Sequence, residues 1–117
     1  MFWDEGVNAV TRYSMFGVVG ESDATRGRFF MFWNMTQVCG APVLVGLLAG
    51  QAAHEAEVKE NDLPGQAMEV LRSIFRDVAV PDPIATKVTS WASDEFAHGS
   101  YSVSCANKGR FFVCLWC

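Results

Sequence analysis

Phe29-Phe30-Met31-Phe32-Trp33 sets five large apolar residues in a row with no polar alternation. A strand of that kind is expected at the middle of a sheet, with both faces covered. Tyr13 to Val19 and Arg28 to Met35 are rich in aromatic and branched residues, and the polar turn Gly20-Glu21-Ser22-Asp23-Ala24-Thr25 separates them. That spacing predicts two antiparallel strands joined by a loop. Pro42 opens a third run, Val43 to Leu48, whose length suits a buried strand.

Beyond the third run the periodicity changes from strand to helix. Ala49, Ala52, Ala53 and Ala56 fall on one small-residue face, which lets a helix approach a sheet closely. Asp62 is placed to cap a second helix with Pro64 in its first turn. Ala67, Val70, Leu71, Ile74, Phe75 and Val78 then form an amphipathic stripe, leaving Glu69, Arg72, Ser73 and Arg76 on the wet side. Val80-Pro81-Asp82-Pro83 lacks two amide donors and reads as a stiff linker. It should lead into a further strand over Ile84 to Trp91. The expected class is α+β, a mixed or antiparallel sheet packed with two helices.

Composition bounds the function. Apolar residues make up 50% of the 117 and charged ones only 19%, an oily balance for a domain of this size and one expected of a piece of a larger protein. A net charge of −4 argues against a direct nucleic-acid binder and suits a cationic partner. No apolar run is long enough to span a bilayer, and Met1 to Glu5 lacks the basic start of a signal peptide. The expected setting is intracellular, with reduced thiols and no membrane.

Trp91 to Ser102 is the stretch with the most chemistry. It crowds three aromatic rings and a Gly-Ser turn, a composition suited to the wall of a flat, apolar pocket. Core packing at a strand end is the plain alternative. Trp91, Asp94, Phe96 and Gly99-Ser100-Tyr101-Ser102 resemble the late flavin-facing segment of FAD-dependent amine oxidases. The likeness is greatest to the lysine-specific histone demethylases of that class, with polyamine oxidases next. Phe2-Trp3-Asp4, Arg26-Gly27, Phe32-Trp33-Asn34, Ala41 to Leu44, Leu48-Ala49-Gly50, Ile74-Phe75 and Val80 to Pro83 follow in the family's order. The resemblance covers residues 2–103 and implies an interior fragment of the family's substrate-binding half. Residues 104–117 form a Cys-rich apolar tail that matches nothing, expected to stem from read-through, splicing or a truncated gene.

The resemblance implies roles for particular residues. Tyr101 matches a tyrosine of the aromatic wall beside the flavin and the substrate amine, a catalytic and substrate-binding position. Trp91, Phe96, Gly99 and Ser100 match cofactor-binding positions, with Phe96 standing where the demethylases more often carry Trp and polyamine oxidases Phe. Trp33 matches a tryptophan of the substrate channel and Met15 lies near a position that contributes an apolar wall there, though either could be core. The implied chemistry is oxidative demethylation of a methyl-lysine, with FAD as hydride acceptor and a methylated histone peptide or a polyamine as the cationic substrate. A nuclear setting follows, with room for a chromatin complex partner.

Departures from the family temper that reading. No Gly-x-Gly-x-x-Gly occurs, so the usual grip on the cofactor's phosphates is missing and the isolated chain is expected to be inactive. Lys59, Lys87 and Lys108 do not stand in the context of the family's flavin-side lysine. Gln51 and His98 replace a usual Glu and Arg. A non-catalytic interaction module is therefore the rival class. Cys105, Cys114, Cys117 and His98 could ligate zinc, but a single Cys-x-x-Cys is a weak signal and no metal is expected. His54, beside Glu55 and Glu57, is expected to face solvent.

Overall fold

The computed structural model describes residues 13–20, 22, 25–58 and 62–100, together with the backbone of 102–107 and 110–115. Strands β1 (Met15–Gly17), β2 (Met31–Asn34) and β3 (Leu44–Leu47) form an antiparallel sheet in the order β1-β2-β3. Helices α1 (Thr36–Cys39), α2 (Gly50–Val58) and α3 (Leu63–Ile74) follow or interrupt them. Strands β4 (Ser102–Asn107) and β5 (Arg110–Leu115) pair antiparallel with each other, Asn107 opposite Arg110.

The Phe29–Trp33 run does supply the central strand, but only one of its faces is covered. Side chains alternate across a strand. Phe32 is fully buried while its neighbour Trp33 remains 43% exposed. Phe16, Phe32 and Gly46 face each other across β1, β2 and β3 on the buried side. There the Phe32 ring stacks on Phe16 at 5.5 Å and on Phe29 at 6.2 Å, and Phe75 meets Phe16 edge-on at 5.1 Å. Gly46 makes room for this: a Cβ there would lie 2.9 Å from the Phe32 ring. Leu63, Ala67, Met68 and Leu71 of α3 and Val80 of the linker complete the core.

Helix α3 forms as its sequence directs. The Asp62 carboxylate accepts from the Gly65 amide at 3.0 Å, and Pro64 lies in the first turn. Leu71 is fully buried, and Glu69, Arg72, Ser73 and Arg76 are exposed. The stripe is one turn shorter than expected, for the helix stops at Ile74 and Val78 is exposed. Arg72 pairs with Asp82 at 2.7 Å, tying the proline-rich linker back to the helix. Arg28 joins the two longer helices, donating to the Gln66 side chain of α3 and lying 4.0 Å from Glu55 of α2.

Two elements differ from expectation. Residues 84–91 form no strand; a one-residue bridge at Ala85 is all that remains, and the segment is exposed. A strand needs a continuous ladder partner for its backbone groups, and beyond that single bridge the segment joins neither of the described sheets. The short helix α1 was not anticipated. The Asn34 side chain accepts from the Thr36 amide at 3.0 Å and donates to the Tyr13 carbonyl at 3.1 Å, while Met35 N–H bonds Val43 O at 2.9 Å. These bonds let one helical turn bulge between β2 and β3 without disrupting their pairing.

Phe32→Ala is expected to cost about 3–5 kcal/mol, as large aromatic truncations in a closed core do. Trp33→Ala, one residue on but facing outward, should cost less than about 1 kcal/mol. Urea unfolding of both variants checks the contrast. Asp62→Ala should lose about 1 kcal/mol by the same measurement, the usual worth of an N-cap.

Candidate functional site

Residues 91–100 form a closed loop whose shape is written largely in its own backbone. Asp94 Oδ1 accepts from the amides of Phe96 (2.9 Å) and Ala97 (2.8 Å), and the His98 amide donates to Asp94 O at 3.0 Å. The Gly99 amide then closes the loop onto Trp91 O at 2.8 Å. His98 takes φ 49° and Gly99 φ 139°, and the second of these is a conformation that side chains with a Cβ rarely adopt. Gly99 is therefore required by the turn itself. One oxygen of the Asp94 carboxylate, Oδ1, holds that turn through the Phe96 and Ala97 amides.

The loop is attached to α2 through Glu57. Its Oε1 accepts from the Ala92 amide at 3.0 Å, and its Oε2 from the Ser93 amide at 2.9 Å and hydroxyl at 2.7 Å. Nothing local in the sequence marks Glu57 for this role, because its partners lie 35 and 36 residues away. Desolvation opposes ionisation of Glu57, but the hydrogen bonds from Ala92 and Ser93 and the nearby His54 outweigh it and hold the carboxyl below its ordinary value. The Phe96 and Ala97 amides do the same for Asp94, against slight desolvation and with a smaller contribution from His98.

Held in this way, the loop presents its rings outward. Phe96 is 89% exposed and Trp91 47%; Ser100 is exposed and Gly99 half-buried. These four cofactor-site candidates share one short loop, while Tyr101 lies outside the described residues. The substrate-site candidates share a different surface. Met15 pairs with Trp33 and Trp33 with Val45, which forms a row of exposed apolar side chains on the open face of the sheet. Met15 is 57% exposed and neither it nor Trp33 belongs to the core. Among the described residues no ring contact joins Trp33 to Trp91 or Phe96.

Other features add little. A wide, open cleft of about 320 Å³ lies between Val18–Gly20, Arg26–Gly27, Phe30 and Ala49, and it contains none of the expected site residues. His54 is exposed, as expected. No cluster of three or more His, Cys, Asp or Glu suited to a metal occurs among the described residues, and the side chains of Cys105, Cys114 and Cys117 lie outside them. Among the described residues no helix is long and apolar enough to cross a membrane.

Comparison with known proteins defines the class. Residues 2–112 match the flavin containing amine oxidoreductases, and the chain belongs to that family. The matched span runs into the stretch that sequence reading set apart as a tail from residue 104. The chain is 43% identical to "Histone demethylase-like protein A" of Aspergillus fumigatus, over 86% of this chain and 10% of that protein. It is 42% identical to "Possible lysine-specific histone demethylase 1" of Drosophila melanogaster, over 98% of this chain and 12% of the relative. "Lysine-specific histone demethylase 1 homolog 3" of Arabidopsis thaliana is also 42% identical, over 87% and 6%. The chain thus spans about a tenth of the length of the curated relatives it matches.

FAD is the cofactor of that family. The exposed Trp91 and Phe96 rings on a fixed loop suit one wall beside a flat ring system. The described residues include no glycine-rich turn between strand and helix to hold phosphates.

Both loop carboxylates titrate below their ordinary values, so their contribution to loop order is complete above the ordinary carboxylate range. It is lost as pH falls through the lowered folded values. Amide exchange followed downward from pH 7 should show Ala92, Ser93, Phe96 and Ala97 losing protection below about pH 4, while Phe32 in β2 stays protected.

Proposed function

We propose that this chain supplies part of the substrate-side and flavin-side wall of a flavin-dependent amine oxidase that demethylates methylated lysine. The observation that carries the reading is the Trp91–Ser100 loop, closed on itself by the Gly99–Trp91 bond, held to α2 through Ala92 and Ser93, and turning two large rings outward. The substrate assignment is supported by the names of relatives 42–43% identical over most of the chain. A nuclear, intracellular setting and a chromatin complex partner belong to the same proposal.

Flavin, when bound, accepts a hydride from the carbon next to the amine nitrogen. Trp91 and Phe96 exclude water from one side of the ring system, and a poorly hydrated wall favours the unprotonated amine that oxidation needs. Gly99 and Ser100 bring backbone close to the cofactor. Trp33 and Met15 line the approach of the substrate side chain, and Tyr101 takes, by resemblance alone, the role of the aromatic-wall tyrosine beside the amine. The isolated 117-residue chain is inactive in this reading, since phosphate contacts must come from other sequence. A non-catalytic interaction module is the second reading, favoured by the open apolar row of Met15, Trp33 and Val45.

Phe96→Ala in the intact protein should leave thermal stability nearly unchanged, because the ring is exposed, yet weaken FAD retention about tenfold, the worth of one good aromatic contact. The visible flavin band after removal of free FAD measures this. Peroxide release with a dimethyl-lysine peptide, compared with spermine, tests the substrate class; turnover of spermine alone would move the assignment to a polyamine oxidase. No flavin band in the intact wild type would leave the interaction module.

A further inference from the structure

We infer that Glu57 is the positioning residue of the candidate cofactor wall: from α2 it fixes the Trp91–Gly99 loop in the orientation that presents Trp91 and Phe96. The inference rests on the oxidase reading for what the loop faces, and on geometry alone for how the loop is held. The internal bonds of the loop, from Phe96, Ala97 and His98 to Asp94 and from Gly99 to Trp91, give it a shape but attach it to nothing. Residues 91–98 are all exposed, so side-chain packing does little to orient them. Among the described residues, the hydrogen bonds that join this loop to a helix are the three accepted by Glu57, at 2.7–3.0 Å.

The chemistry of the acceptor matters. A carboxylate offers two oxygens with several lone pairs, and both are used: one takes the Ala92 amide, the other the Ser93 amide and hydroxyl. Charge-assisted bonds of this kind are roughly twice as strong as neutral ones. Of the other polar side chains of α2, Gln51 donates to Glu55 at 3.1 Å and Glu55 faces Arg28, while His54 lies near enough to Glu57 to favour its charged form. Glu57 thus acts on both candidate rings through the backbone between them.

The test is carried out on the intact protein with Glu57→Ala and the near-isosteric Glu57→Gln. Amide exchange of Ala92 and Ser93 should rise at least tenfold in Glu57→Ala, while β2 and α3 keep wild-type rates. FAD affinity should fall several-fold, with a shifted flavin absorption band. Glu57→Gln keeps one acceptor oxygen and should recover part of both effects, and it remains informative if the alanine variant fails to fold. Unchanged loop exchange in both variants would overturn the inference. So would faster exchange with wild-type flavin affinity and spectrum. A wild-type protein that binds no flavin would sink the oxidase reading instead, and the exchange comparison would still decide whether Glu57 holds the loop.

Discussion

The sheet and its packing against α3 are arranged around the burial of Phe32. Its ring lies between Phe16 and Phe29, above the space left by Gly46, and α3 closes over the cluster with Leu63, Ala67, Met68 and Leu71. Alternation along β2 then leaves no choice for its neighbour. With Phe32 inward, Trp33 must point outward, and the pairing of β2 with β1 and β3 places Met15 and Val45 beside it. The open apolar row is thus a consequence of the core. Slipping the register by one residue would exchange the two faces and lose both.

A different kind of interaction governs the aromatic loop. No buried side chain anchors residues 91–98, and their order comes from hydrogen bonds to two carboxylates, Asp94 within the loop and Glu57 from α2. Apolar packing fixes the sheet; polar contacts fix the rings that stand beside it. The family's cofactor and the loop's exposed rings make sense of this division, since a wall that packed its aromatics inward would have none to offer a ligand.

Much of this was legible in the chain. The three strands of the sheet, helix α2 and the Asp62-capped α3 follow from local spacing and capping chemistry, although α2 begins at Gly50 and leaves Ala49 outside it. What escaped has physical reasons. The run from Ile84 to Trp91 has strand composition, yet composition does not provide a ladder partner. Helix α1 depends on the Asn34 side chain bonding two residues ahead and back to Tyr13, which no periodicity reports. The β4–β5 pair was passed over, although Asn107-Lys108-Gly109-Arg110 carries turn-forming residues between branched and aromatic runs. Glu57 was invisible for the same reason as any long-range contact, because a glutamate in a charged helix looks like solvated surface until its partners are brought to it. Of the site residues, the loop was picked out by its aromatic and Gly-Ser composition and by resemblance, and Trp33 and Met15 by resemblance; the folded chain sets Met15 beside Trp33 but leaves them without ring contact to Trp91 or Phe96.

The central claim is that the exposed rings of this chain are one side of a flavin and amine site. Hydroxyl-radical footprinting of the intact protein, with and without FAD and a methyl-lysine peptide, tests it most directly. Trp91 and Phe96 should become protected when FAD is added, and Trp33 and Met15 when the peptide follows, while the already buried Phe32 stays unreactive throughout. Labelling of Trp91 and Phe96 that does not change on loading with FAD would contradict the account.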